Sequence, residues 1–456
     1  MKPGISALWK TVAAYGLMLS LAALAFYFIL RQGQALGGPL LNSGFQAAAA
    51  QPNTLLHLLL ALAAVLACGR ALGWLFKRLR QPPVIAEVIA GICLGPSLLG
   101  HFFPEAGAFL LPAAVAPLLG AIAQLGVILY MFQVGLELDL SELKGKGHST
   151  IAISHASIVL PFLLGSLLAL WLYPRFASQE VPFLSFALFM GVAMSITAFP
   201  VLTRILADEG LTKSALGTLA LSCAAVDDAT AWCLLAMVVG VAQAEGAAAA
   251  LVPLWTLGFI LGMIMIARPL IRRVLGRTAK PGQGTVALVF LGVLLAALTT
   301  EAIGIHAIFG AFMLGVLIPH DSKVAKDFEV KLKDVVGILL LPAFFAFTGM
   351  RTQIGLLEGG LAWGACALVI VVATLGKFGG AALAARFSGL KAREATALGI
   401  LMNTRGLVEL IVLNVGLDLK IITPQVFAMM VVMALATTLA TAPALRIFVP
   451  GLSPRR

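Results

Sequence analysis

The sequence predicts an all-α polytopic membrane protein of about 13–14 transmembrane helices arranged as inverted repeats. Three observations carry this. Hydrophobic residues make up 61% of the 456 residues, charged residues only 11%, and the mean hydropathy is +1.03. The apolar residues gather into runs of about 20, the length an α-helix needs to cross a hydrocarbon core about 30 Å thick. The basic residues sit in short clusters between those runs, at Lys77 to Arg80, Lys144 to Lys146, Arg268 to Lys280, Lys323 to Lys333, Arg386 to Arg393 and Arg455-Arg456. Clusters of this kind orient helices with their basic loops in the cytoplasm. The formal net charge of +11 is therefore a topology signal, and no nucleic-acid partner is expected.

In chain order the runs cover about 8–30, 54–76, 83–101, 113–136, 149–173, 182–206, 212–241, 250–270, 284–302, 304–319, 335–350, 359–386, 395–416 and 424–447, roughly fourteen spans. The first follows Lys2 and Lys10, as a signal peptide would. Its stretch from Thr11 to Leu30 is long for that purpose and reads as a retained helix. The basic clusters fall after every second span, which places both termini in the cytoplasm. The cell membrane, in a bacterium the inner one, is the expected location. No long hydrophilic block breaks the pattern, so nearly the whole chain is expected in the lipid bilayer, without a soluble regulatory module. Cys68, Cys93, Cys223, Cys233 and Cys366 all lie in apolar runs. They read as small buried hydrophobes, not as a metal or disulfide framework.

Two of the runs are short and glycine-spaced. Pro83 to Pro96 (PVIAEVIAGICLGP) resembles Ile305 to Leu317 (IHAIFGAFMLGVL). The span count runs them in opposite directions, with about five spans after each. Inverted halves of this kind build secondary transporters, whose ion sites lie near the bilayer midplane where helices are interrupted.

Polar residues inside such runs are costly and therefore informative. Asp227 and Asp228 stand side by side in the run from Leu211 to Val241. One carboxylate at the bilayer centre costs about 2.5–3.5 kcal/mol on insertion scales. Neighbouring residues on a helix point about 100° apart, so the two cannot do the same job: one can face a buried cation while the other faces a pathway. Lys377, set among Gly376, Gly379 and Gly380, needs a carboxylate partner, and Asp227 is the natural one. Ser195 and Thr197 precede Pro200. A proline there either kinks the helix or opens a break whose hydroxyls and freed carbonyls coordinate a cation. Asn403, Arg405 and Glu409 interrupt the run 395–416. Arg405 and Glu409, four residues apart, meet on a helix face, as a structural pair across a second break or as part of an ion pathway. Glu87 sits mid-span after Pro82-Pro83, with a structural or a pathway role. Glu301 and His306 bracket a turn near a membrane face and read as interfacial; Arg351, at a helix end, reads as snorkelling to the surface.

The segments PPVIAEVIAGICLGPSLLG, SITAFPVLTRIL, AAVDDATAW, IGIHAIFGAFMLGVLIP and NTRGLVELIVLNVGL occur in this order over residues 54–447. Together they resemble the monovalent cation/proton antiporter superfamily. Within it they are most similar to the double-aspartate branch, which includes bacterial sodium/proton and potassium/proton antiporters and the plant cation/proton exchangers. The resemblance implies two crossing discontinuous helices, here Ser195 to Pro200 and Asn403 to Glu409, in a mobile core, and a homodimer. It divides the chain into an N-terminal extra helix and loop (1–53), a dimerisation domain in two parts (54–145 and 283–355), a core ion-transport domain in two parts (146–248 and 356–456), and a linker helix with a basic loop (249–282). Carried over residue by residue, Asp228 matches the ion- and proton-binding aspartate, where a monovalent cation would sit. Asp227 matches the partner of a buried lysine, Lys377 that lysine, and Thr197 the hydroxyl at the first break. No cofactor and no enzymatic chemistry are implied. The partners are a monovalent cation, sodium or potassium, and the proton.

The expected function is secondary antiport by alternating access, with cation and proton competing for one carboxylate site. A monovalent cation channel and a cation-coupled solute symporter are the alternatives. A channel needs a filter of carbonyls or side-chain rings, and no such loop stands out. An intramembrane aspartyl protease needs its two aspartates on separate helices, whereas these are adjacent on one.

Overall fold

In hydrocarbon no water reaches the backbone, so a spanning segment must satisfy its amides internally. The described residues are helical accordingly, with no strand among them. The computed structural model describes residues 5–33, 54–79, 81–137, 148–243, 252–275, 282–319 and 322–449. The expected basic clusters at 144–146, 277–280 and 455–456 lie outside these residues.

Among the described residues, eleven helices are long and apolar enough to cross a membrane, and one bent pair, Ala392–Met402 with Leu407–Asp418, makes a twelfth span. The runs 304–319 and 335–350 are not among these spans. The first forms only Ala307–Leu317, 11 residues, about 16 Å of helix or half a bilayer. The second is a π-helical turn, Val335–Leu340, leading into Leu341–Arg351 and continuing the polar helix Lys323–Asp334. Close helix contacts hold both short elements. A Cβ on Gly135 would stand 2.3 Å from the carbonyl oxygen of Phe312, and one on Gly315 would stand 2.3 Å from that of Phe132. Only glycine lets Ala116–Glu137 and Ala307–Leu317 meet backbone to backbone.

The fold repeats itself. Six elements come first: Thr54–Arg78, Pro83–Leu94, Ala116–Glu137, His148–Phe176, the broken span Phe183–Asp208, and Ala215–Gln243. A linker, 252–275, follows. Six counterparts then appear in the same order: Gln283–Ile303, Ala307–Leu317, Leu341–Arg351, Gly359–Phe387, the bent pair, and Pro424–Phe448. The packing repeats as well. Pro83–Leu94 lies on Leu341–Arg351 as Ala307–Leu317 lies on Ala116–Glu137, each pairing crossing between repeats. His148–Phe176 and Gly359–Phe387 pack on each other, and each carries the broken span of its own repeat. Six passes and a linker pass separate the repeat starts, so the second repeat enters from the opposite side.

The helices thus fall into two packing groups. A scaffold group holds the first three elements of each repeat. A core group holds the last three, with the helix Ile5–Gly33 against its outer side. Alternating spans put Arg78, Arg272, Arg273 and Arg386 at one face of the molecule, and Glu301, His306, Arg351 and Asp418 at the other. The first is the basic face and the second the acidic face.

Candidate functional site at two helix breaks

Both broken spans stop for about one turn inside the core group. The first comprises Phe183–Ser195 and Phe199–Asp208, with Ile196 and Ala198 extended between them. Pro200 sits in the first turn of the second half, where its missing N–H has no intrahelical partner to lose. The proline starts the second half-helix; it does not kink a continuous one. The second break, Asn403 to Gly406, bends its span by 44°. The two breaks touch: the Ala198 amide donates to the Thr404 carbonyl at 3.0 Å, and Thr197 Oγ1 stands 3.2 Å from the Met402 carbonyl oxygen.

A broken helix leaves unpaired carbonyls at one end and unpaired amides at the other, with partial charges of opposite sign. Buried side chains meet these ends. Arg405 donates through Nη1 to the Ala193 carbonyl at 2.8 Å and through Nη2 to the Met194 carbonyl at 2.6 Å. Lys377 Nζ donates to the Ser195 carbonyl. Two cations therefore close the C-terminal end of Phe183–Ser195. Glu409 lies in the first turn of Leu407–Asp418 and accepts from Arg405 at 3.0 Å. The i,i+4 pair expected from sequence is present and fully buried. Thr438 holds the same break by accepting from the Arg405 amide at 3.1 Å and donating to the Arg405 carbonyl at 2.7 Å.

The adjacent aspartates have different surroundings. Asp227 is saturated. Its Oδ2 accepts from Lys377 at 2.7 Å, from Ser157 at 2.9 Å and from Thr197 at 2.9 Å, and its Oδ1 accepts from Ser154. Lys377 is saturated too: its third bond goes to the Ser157 carbonyl at 3.1 Å. Asp228, buried on the next face of the helix, has none of these partners. Its Oδ1 is enclosed without a donor. The Phe199 amide, at the N-terminus of a half-helix, stands beside the carboxylate, and the Tyr130 phenol on the scaffold lies within electrostatic reach. Asn403 Oδ1 is likewise buried without a donor.

Residues 58–449 match the family described as sodium/hydrogen exchanger, transmembrane. The chain belongs to that family. Its members are transporters, not enzymes. One relative within the family is the Na(+)/H(+) antiporter NhaS4 of Synechocystis sp., 45% identical over 86% of this chain and 97% of its own length. Cation/H(+) antiporter 20 of Arabidopsis thaliana is 40% identical over 85% of this chain and 48% of its own length. The K(+)/H(+) antiporter 1 of Saccharomyces cerevisiae is 35% identical over 82% and 44%. The chain thus spans about half the length of the plant and yeast relatives. The sodium proton antiporter MjNhaP1 of Methanocaldococcus jannaschii shares the fold, with a TM-score of 0.64 at 15% identity over 88% of this chain and 100% of that one.

Within this exchanger-family fold, several expected residues sit apart from Asp228. Thr197 serves Asp227. Ser195 spends its hydroxyl on the Ile158 and Gly191 carbonyls, at 3.0 and 2.7 Å, and offers its own carbonyl to Lys377. Glu87 lies on the scaffold, against Gly69 and within electrostatic reach of Arg70. Arg351, partly exposed at its helix end, pairs with Asp418 at 2.6 Å and donates to Asn414 Oδ1 at 3.0 Å, while Asn414 Nδ2 donates to Thr348 at 2.8 Å. This clamp ties the scaffold to the second broken span at the acidic face. Beside it, Glu301, His306, Gln124, Asn414 and Asp418 line a vestibule of about 320 Å³. Ser154, Ser157 and Thr438 are absent from the sequence-based set. Each is a lone hydroxyl on an apolar helix, and such hydroxyls commonly bond to their own helix backbone.

Proposed function

We propose that the chain exchanges a monovalent cation, sodium or potassium, for a proton, with Asp228 as the shared site. The observation that carries this reading is the asymmetry of the aspartate pair. Asp227 has a fixed countercharge and four side-chain donors; Asp228 is buried beside it with no ion-pair partner, one backbone amide, that of Phe199, and an Oδ1 without a donor. An unbalanced carboxylate in a low-dielectric interior is expensive, and a proton or a small cation relieves the cost equally well. The loaded site is then neutral and free to move through the membrane interior, while the empty site is charged and held back. That difference couples the two ions without ATP.

The names of the relatives support the class of transport and span both cations. The two packing groups support a motion in which the core slides on the scaffold, carrying Asp228 between the acidic vestibule and the basic face. We further propose that the scaffold forms a homodimer, that the protein resides in the cell membrane with its C-terminus in the cytoplasm, and that 54–145 with 283–355 and 146–248 with 356–456 move as separate bodies. The direct test is exchange in proteoliposomes. Sodium or potassium added outside acid-loaded vesicles should drive protons out, with an apparent cation affinity that falls as pH falls, because both ions need the same carboxylate. Affinity unchanged over about two pH units in the range where transport rises would exclude a shared site and send the search to Glu87 and Glu409.

A further inference from the structure

One large side chain lies on the acidic-face side of Asp228 and bridges the two packing groups. Trp232 follows Asp228 by four residues, about 6 Å along the helix axis toward the acidic face. Its indole is 2% exposed. It meets Phe309 edge-on with ring centroids 5.9 Å apart, and Phe312 at 6.4 Å. Trp232 belongs to the core group; both phenylalanines belong to the scaffold helix Ala307–Leu317. The residues just before Phe309, namely His306, Ala307 and Ile308, line the vestibule, so the aromatic contact begins one residue further along the same helix. The indole N–H is buried without an acceptor. The ring is therefore held by packing across the two groups and by no hydrogen bond of its own. On the other side of Asp228, toward the basic face, Phe199, Leu221 and Ala225 are partly exposed.

We propose that Trp232 is the gate of the ion site on the acidic face: its indole, wedged against Phe309 and Phe312, closes the path from the vestibule to Asp228 and withdraws when the core shifts on the scaffold. The inference rests on Asp228 being the transport site. A carboxylate open to both faces at once would pass protons freely, so coupling requires one side to be sealed while the other is open. Among the described residues, no other pair of packed rings joins the two groups on this side of Asp228.

The experiment uses the full chain in vesicles of phosphatidylethanolamine and phosphatidylglycerol, in choline medium free of sodium and potassium, under an imposed pH gradient. Trp232→Ala should collapse the gradient at least tenfold faster than the wild type, whereas Trp232→Phe, which keeps an aromatic wedge, should stay tight. Adding Asp228→Asn to Trp232→Ala should stop the leak, because the opened path runs through that carboxylate. A folded Trp232→Ala protein that exchanges normally and does not leak would overturn the gate. So would a leak that survives Asp228→Asn. If Trp232→Ala fails size-exclusion chromatography, the pair Phe309→Ala with Phe312→Ala opens the same seal from the scaffold side and is held to the same outcomes. Asp228→Asn alone separates the two readings. If it still exchanges, the site assignment fails; if it is inactive while Trp232→Ala is tight, only the gate fails.

Discussion

Removing the Lys377 ammonium should damage the fold far more than removing the Asp228 charge, although both groups are buried in one site. Lys377 is enclosed with three acceptors: Asp227 Oδ2 at 2.7 Å, the Ser157 carbonyl at 3.1 Å and the Ser195 carbonyl. In Lys377→Ala, Asp227 loses its only countercharge, and breaking one partner of a buried ion pair costs about 3–5 kcal/mol. The Ser195 carbonyl, at a half-helix end, also loses its donor, and an unsatisfied buried acceptor costs about 1–3 kcal/mol. The two terms overlap, because the cavity left by the side chain admits some relaxation, so about 3–5 kcal/mol is the expected total. Asp228→Asn removes an unbalanced charge and should leave stability within about 1 kcal/mol of the wild type. The assay is unfolding in detergent followed by tryptophan fluorescence, run as a cycle on Lys377→Gln, Asp227→Asn and the double variant. The neutral pair should recover at least about 2 kcal/mol of the summed single losses, since contacting residues couple by about 0.5–3 kcal/mol. Single losses that add to within about 0.5 kcal/mol would mean that the groups do not interact, and the account of the site as one balanced pair plus one free carboxylate would be withdrawn.

Asp228→Asn should abolish cation-driven proton movement while the protein elutes like the wild type on size exclusion; exchange at the wild-type rate would remove Asp228 from the site. Arg405→Ala should cost about 3–5 kcal/mol, because it strands Glu409 and two half-helix carbonyls, whereas Glu409→Gln should cost less than half as much; equal losses would show that Arg405 acts through Glu409 alone. The clamp of Arg351 on Asp418 is partly exposed, so Arg351→Gln should change stability by no more than about 1 kcal/mol. It should still shift apparent cation affinity by up to about fivefold, the factor that 1 kcal/mol of bias between two conformations produces, and an unchanged affinity would limit the clamp to a static role. Gly135→Val should prevent assembly of the scaffold, since its Cβ would stand 2.3 Å from a backbone oxygen, and a stable, active Gly135→Val protein would contradict that contact.

The sequence displays its charged centre because hydrocarbon makes every charge conspicuous. Asp227, Asp228, Lys377, Arg405 and Glu409 each interrupt an apolar run, and the geometry joins Asp227 to Lys377 and Arg405 to Glu409 as their chemistry demands. The hydroxyls stay hidden. Ser154 and Ser157 lie about 70 positions from Asp227, and nothing in their local pattern separates them from serines bonded to their own helix. Thr197 is visible at the break, yet which aspartate it serves depends on a helix rotation that hydropathy does not encode. The run 304–319 is legible as apolar but not as short, because the glycines that bring its helix against Ala116–Glu137 also occur in full-length spans. The helix end at Arg351 is legible, but its pair is not, because Asp418 lies in the other packing group.

The saturation of Lys377 also has an electrical meaning. An ammonium has three protons to donate, and here each is engaged, so the lysine and Asp227 form a fixed, self-cancelling unit. In the proposed cycle only Asp228 changes its charge as ions come and go. It carries one positive ion per crossing, whichever ion that is, and the return trip carries one as well. The cycle then moves no net charge, and a voltage across the membrane has no lever on it. Exchange in vesicles clamped at about 100 mV should run at the same rate with either polarity, although each uncompensated charge would feel about 2.3 kcal/mol. A rate that follows the voltage would mean that Lys377 gives up a proton in every cycle, and that all three of its bonds break and reform as the core moves.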